Sequence, residues 1–354
     1  MTTLEAHTHH LSVICVYFRS DRENMRYSKL MKLRTVGFCL ALALGSSGAF
    51  ASFELVMVGD SATKSIHRFD GSTGAYLGSF GSGHFANIQN FTIDQATNSA
   101  YVSDGVLGLT RVFNYNTGAH LFDYQNIGSN GTSQTLSRTP TGFFAGYYSG
   151  GWGIHDNSGA QTSFVLGLQV GGTNPIAMAS ARHQSGIVVG AAFSGASAAV
   201  ASLQLLNPNL TTATAKTPDV TDMGPWTELG QVSLSGNTGI WLTTNGRARV
   251  FAVNSAGTNI SLTGGSYAPE GFAVGTMRGI GMGHGRTVYV SGRDAGNTTG
   301  IITRGVLGST MSLSTFGSGI LQQPMMMQVV VAPEPGTLVA LSLGALLLRR
   351  RKKS

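Results

Sequence analysis

The sequence predicts an all-β protein, a six-bladed β-propeller closed by a C-terminal strand and flanked by a signal peptide and a C-terminal transmembrane sorting helix. Three observations carry this expectation. Apolar residues come in short β-type runs separated by Gly, Asn, Ser and Thr clusters. One sequence unit returns at an offset of 44 residues. Both ends of the chain differ in composition from the stretch between them.

Residues 31–51 read as a signal peptide. Lys32 and Arg34 form a charged start, Val36 to Leu44 an apolar stretch, and Ala49 and Ala51 the small-x-small site that places cleavage before Ser52. Residues 1–30 are polar and lack strong periodicity, so they read as an extension ahead of the functional start at Met31. Signal peptidase is the partner this segment implies. Both cysteines, Cys15 and Cys39, lie before Ser52. The body, residues 52–332, therefore has neither a disulfide nor a thiolate metal site to stabilise it and depends on packing.

Within the body, Val58-Gly59-Asp60 precedes Phe69 by the same nine residues that separate Asp104, in Val102-Ser103-Asp104, from Phe113. Each copy then runs into a turn bearing Gly74 or Gly118. Looser copies continue the series. With Met57, Val102, Ala145, Val189, Leu242 and Val290 as markers, the steps are 45, 43, 44, 53 and 48 residues. A period of about 40–50 residues belongs to propellers, one blade of four strands per unit. The structural alternatives are a two-sheet sandwich and a parallel β-helix, and the period is long for the latter.

Inner strands are expected around Phe91-Thr92-Ile93, Ile176-Ala177-Met178, Gln231-Val232-Ser233 and Gly279-Ile280-Gly281, each ahead of a marker. The first unit has no such strand, because Leu55 follows Ser52 almost at once. At the other end Met325 to Val331 has the character of an inner strand and no unit of its own. It is expected to complete blade one and close the ring, which removes exposed sheet edges. The repeat resembles the NHL-type six-bladed unit, closely over two copies and loosely over four.

Residues 333–354 read Pro333-Glu334-Pro335, a charge-free stretch over 336–348 taken as a transmembrane helix, and the basic run Arg349, Arg350, Arg351, Lys352, Lys353. Thirteen apolar residues span only about 20 Å as a helix, short for a bilayer core of about 30 Å. This order resembles the PEP-CTERM sorting signal of Gram-negative bacteria that make extracellular polysaccharide, although its apolar stretch is on the short side for that family. The resemblance implies recognition by an exosortase, processing near Pro333, Glu334 and Pro335, and a final location at the cell surface or outside it. A plain tail anchor is the simpler alternative.

The net charge of +7 is terminal. Residues 1–51 hold six basic and three acidic side chains, 52–332 twelve of each, and 333–354 five and one. A neutral body argues against nucleic-acid binding. The usual catalytic signatures are missing from the sequence, and the run Gly279 to Gly285 is explained better by a tightly approached inner strand than by a phosphate loop. His67, His84, His120, His155, His183 and His284 fall at different places in their repeats, so neither a metal nor a cofactor is expected. Asp60, Asp104 and Asp294 end or follow strands; they are either turn-capping residues or a cation- or sugar-binding rim. Phe143, Phe144, Tyr147, Tyr148, Trp152, Trp226 and Trp241 are either sugar platforms or inter-blade packing.

The function expected from these readings is an exported, non-catalytic surface or matrix protein sorted by an exosortase and associated with exopolysaccharide. The alternative is an extracytoplasmic propeller hydrolase or lyase acting on polysaccharide or peptide.

Overall fold

Six copies of one antiparallel four-stranded meander account for the described chain. The computed structural model describes residues 53–331 apart from 126–134, 148–150, 197–198, 224–229, 244–245, 267, 274, 308–313 and 317–318. Blade one contains β1 (Glu54–Asp60), β2 (Ser65–Asp70) and β3 (Tyr76–Phe80). Blade two is β4 (Ile88–Asp94), β5 (Ser99–Asp104), β6 (Leu109–Asn114) and β7 (His120–Gln125). Blade three is β8 (Thr135–Thr139), β9 (Gly142–Tyr147), β10 (Gly151–Asp156) and β11 (Gln161–Leu166). Blade four is β12 (Pro175–Arg182), β13 (Val188–Ser194), β14 (Ala201–Leu206) and β15 (Ala215–Lys216). Blade five is β16 (Gln231–Ser235), β17 (Thr238–Leu242), β18 (Ala248–Val253) and β19 (Ile260–Leu262). Blade six is β20 (Gly279–Met282), β21 (Thr287–Arg293), β22 (Gly300–Val306) and β23 (Ser314–Phe316).

The last strand, β24 (Pro324–Val331), pairs antiparallel with β1 and supplies the inner strand that blade one lacks. All six sequence markers fall on the second strands of their blades. The inner strands touch one another in the cyclic order β24, β4, β8, β12, β16, β20 and back to β24, so the ring is closed.

Second strands lie between neighbouring blades on both faces, which is why they carry mainly apolar centres such as Leu55–Val58 and Val188–Val189. Every residue of β1, β5 and β13 is buried. Aromatic side chains fill the spaces between blades: Phe143, Phe144, Trp152 and Trp241 are fully buried. Trp152 lies against Gly190 of blade four, where a Cβ would stand 2.6 Å from the indole ring. These four aromatics are therefore packing residues.

The repeated turns share one mechanism. Asp70 Oδ1 accepts hydrogen bonds from the N–H groups of Ser72 (2.8 Å) and Thr73 (2.9 Å), and Asn114 Oδ1 accepts from Asn116 and Thr117 (both 3.0 Å). Gly74 and Gly118 then take φ of 76° and 79°, the left-handed conformation that glycine adopts without cost.

At the seam between blades six and one, β20 runs close to β24. A Cβ on Gly279 would stand 2.7 Å from the Met325 carbonyl oxygen, and one on Gly281 would collide with Val329. Gly279 and Gly281 thus lie on a close-approach strand, as the alternation suggested, whereas Gly283 and Gly285 belong to the turn that follows it. Beside it the buried Glu54 carboxylate accepts hydrogen bonds from the Tyr289 hydroxyl and the His284 N–H. Burial, reinforced by Glu54, raises the Tyr289 pKa well above its ordinary value.

Among the described residues no helix is long and apolar enough to cross a membrane. The expected helix over 336–348 lies outside the described residues. So do Ala49, Ala51, Pro333, Glu334, Pro335, the run Arg349, Arg350, Arg351, Lys352 and Lys353, and the aromatics Tyr148 and Trp226.

Candidate functional site

Inner strands have one unpaired edge, and in a closed ring that edge faces the central channel. Side chains of neighbouring blades bind it. Gln231 of β16 reaches across blade six: its Oε1 accepts from the N–H of Ile280 (2.8 Å) and of Met327 (3.0 Å), while its Nε2 donates to the Met327 carbonyl. Ser233 Oγ accepts from the Met282 N–H at 2.9 Å, and Gln328 Nε2 donates to the Phe91 carbonyl at 3.1 Å. Between blades three and four, Ser180 Oγ lies 2.8 Å from Thr135 Oγ1 and 2.7 Å from Ser137 Oγ. The channel wall is polar and cross-linked blade to blade.

At the end of the channel where the inner strands finish lies a cavity of about 650 Å³. All six blades line it, with Thr92, Ser137, Ser180, Ser233, Met282 and Gln328 among the contributors. Among the described residues the charged side chains in its wall are Asp94, Arg138 and Arg182. Arg138 is committed. It donates to the Gly142 carbonyl at 2.7 Å, and its guanidinium carbon lies 4.8 Å from the Phe143 ring centroid. Its Nε stands 3.4 Å from Asp94 Oδ2 but makes no hydrogen bond there, so the attraction is coulombic. Arg182 is exposed at the end of β12, and its side chain has, among the described residues, neither an ion-pair nor a hydrogen-bond partner.

The carboxylates singled out in the sequence sit elsewhere. Asp60 and Asp104 pair in register with Pro324 and Ile88, the first residues of inner strands, which puts them at the opposite end of the channel from the cavity. Both are buried. Asp60 Oδ1 accepts from the N–H groups of Ala62 and Thr63 (both 3.0 Å), and Oδ2 from Gln322 (2.6 Å) and Gln323 (3.0 Å). Asp104 repeats the pattern with Val106 (2.9 Å), Leu107 (3.0 Å) and Ala86 (2.7 Å). In both copies the aspartate ties the turn after the second strand to the loop entering the inner strand. Asp294 instead caps its own turn, accepting from Thr298 and Thr299, whose N–H groups hold its pKa down to about 2.

None of the body's six histidines lines the cavity either, and only His84 and His120 meet one another. His67 Nε2 lies 2.7 Å from Thr63 Oγ1, and His155 Nδ1 donates to the Gly159 carbonyl at 2.9 Å; burial lowers both pKa values. His183 bridges Ser185 and Asn237. His84 stacks on His120 at 4.8 Å, and His120 contacts Asp123 at 2.7 Å. His284 is exposed on the turn after β20. Among the described residues no three His, Cys, Asp or Glu side chains are placed to hold a metal ion. Arg182, the uncommitted cation among the described residues of the cavity wall, carried no sequence signal, since only ring closure brings it there.

No protein-family model matches the chain, and no curated protein sequence matches it. Solved structures do resemble it. A chain from the crystal structure of a nidogen–laminin complex superposes with a TM-score of 0.57 at 10% identity, over 78% of this chain and 98% of that one. A Bacteroides fragilis protein proposed to be a 6-phosphogluconolactonase gives 0.52 at 13% identity, over 80% and 100%. A protein of unknown function from Bacteroides caccae gives 0.54 at 10%, over 79% and 100%. At such identities the likeness establishes the fold alone: the described residues between 53 and 331 form a six-bladed β-propeller.

Proposed function

We propose that this is an exported surface or matrix protein, sorted by an exosortase, whose NHL-type propeller is a non-catalytic binding module held among extracellular polysaccharide. The observation that carries the sorting half is the order of features at the C-terminus: Pro333-Glu334-Pro335, a charge-free stretch, then five cations. Proline fixes φ and lacks an N–H, which disfavours both helix and sheet pairing and suits a segment read by an enzyme at the membrane face. Replacing Pro333, Glu334 and Pro335 by alanine tests it. Folded, exported precursor should then accumulate in the membrane with its basic tail intact. Normal processing and release would leave a simple tail anchor as the better account.

For the body, the binding reading is favoured by the composition of the cavity. Among the described residues its lining holds one carboxylate, Asp94, already attracted to Arg138. Glycoside hydrolysis calls for two convergent carboxyl groups. Turnover of polysaccharide or peptide by the purified protein, lost on Asp94→Asn, would favour the hydrolase or lyase reading instead.

A further inference from the structure

We infer that the cavity at the end of the channel is a binding site for a hydroxyl-rich monoanion, a sugar acid, whose carboxylate is held by Arg182. This goes beyond the sorting proposal and does not depend on it.

The argument starts with charge. Of the three charged side chains in the wall, Arg138 and Asp94 attract each other across 3.4 Å, and Arg138 is further fixed by the Gly142 carbonyl and the Phe143 ring. Arg182 remains, so the described residues of the wall carry one net positive charge, suited to one negative charge on the ligand. A guanidinium presents its donors as a planar fork that matches a carboxylate in two parallel hydrogen bonds. A doubly charged phosphate would leave charge uncompensated beside Asp94.

The remainder of the wall matches hydroxyl groups. Ser180, two residues before Arg182 on β12 and so on the same face of that strand, belongs to a hydroxyl cluster with Thr135 and Ser137. Ser233 spends an Oγ lone pair on the Met282 N–H and keeps its own proton to donate. Gln328 donates through Nε2 to Phe91 and keeps its Oε1 to accept. The wall thus offers both donors and acceptors to a space whose volume falls within the range of small-molecule sites, about 300–1,000 Å³. Behind them the edge groups of Ile280, Met282, Met327 and Phe91 are already bound by side chains of neighbouring blades, which stiffens the wall before any ligand arrives.

The test is a ligand-observed NMR titration of the full-length protein with three probes: D-glucuronate, D-glucose and hexanoate. D-Glucuronate should bind more tightly than either the neutral sugar or the carboxylate without hydroxyls. Arg182→Gln should weaken D-glucuronate binding by about tenfold or more, as loss of a paired ionic contact does, and leave the melting temperature unchanged. Lys64→Gln, an exposed cation at the other end of the blades, should change nothing. Failure of D-glucuronate to bind, equal binding of D-glucose, or equal loss in the Lys64→Gln protein would each overturn the inference. C-terminal processing, measured on the same preparations, reports on the sorting proposal separately.

Discussion

The Asp60 carboxylate accepts a 2.6 Å hydrogen bond from the backbone N–H of Gln322, a residue 262 positions further along the chain. One end of β1 is thereby fixed to the loop that delivers β24. Asp60 also receives the N–H groups of Ala62, Thr63 and Gln323, so four donors depend on one buried carboxylate. Asp60→Ala would leave them unmatched and should cost about 3 kcal/mol or more. Urea unfolding of this variant beside Asp104→Ala checks it. Both should be destabilised, Asp60→Ala with additional protease sensitivity at the C-terminal strand.

Removing β24 should open the ring. A chain ending at residue 322 loses every pair between β24 and β1, and the free edge of β1 invites pairing with other molecules. A chain ending at residue 332 keeps those pairs and serves as the control. The shorter chain should lose its cooperative melting transition and aggregate, read by calorimetry and light scattering. Equal melting of the two would show that the closure contributes nothing.

Glycine at 279 should resist substitution while glycine at 265 tolerates it. A methyl at position 279 meets the Met325 carbonyl oxygen and forces β20 and β24 apart, an overpacking cost of about 1–3 kcal/mol. Around Gly265 there is open space within 4 Å. Melting temperatures of Gly279→Ala and Gly265→Ala should therefore fall and hold, respectively.

Stability should decline as pH drops below 6.5. Burial holds His67 and His155 below that ordinary value, with Asp60 and Asp156 respectively pulling back toward it. The unfolded chain then binds more protons than the native one, so unfolding becomes easier from pH 6.5 down to the native pKa values and levels off beneath them. The urea midpoint should fall between pH 7.5 and pH 5.5, and the double variant His67→Gln, His155→Gln should flatten that fall. A second decline, below pH 3.8, belongs to Asp70, Asp156 and Asp294, whose pKa values are held down by their turn hydrogen bonds.

Second strands and ring closure were legible in the sequence because burial on both faces leaves apolar runs, and the run Met325–Val331 had no blade of its own. The inner strand of blade three was not. Thr135–Thr139 reads TLSRT, and its hydroxyls are buried against Ser180 of the next blade instead of forming an apolar signal. Outer strands such as Ala215–Lys216 are too short to show any period. The turn chemistry of Asp60 and Asp104 was readable locally, whereas their bonds to Gln322 and Ala86 depend on loops that precede the inner strands. The cavity left no trace in the sequence, since its wall is assembled from six separate strands.

The antiparallel pairing of β1 with β24 also decides how the molecule responds to being pulled. Glu54, at the start of the propeller, is paired with Val331, at its end, so both exits of the chain lie at the same end of the same ladder. Tension between the two exits would not load that ladder in shear, with all its bonds sharing the force. It would peel Glu54 from Val331 first, then Leu55 from Val330, one pair at a time toward Asp60 and Pro324. The clasp is therefore a zipper with its slider at the load, and the Asp60 carboxylate at the far end is the stop.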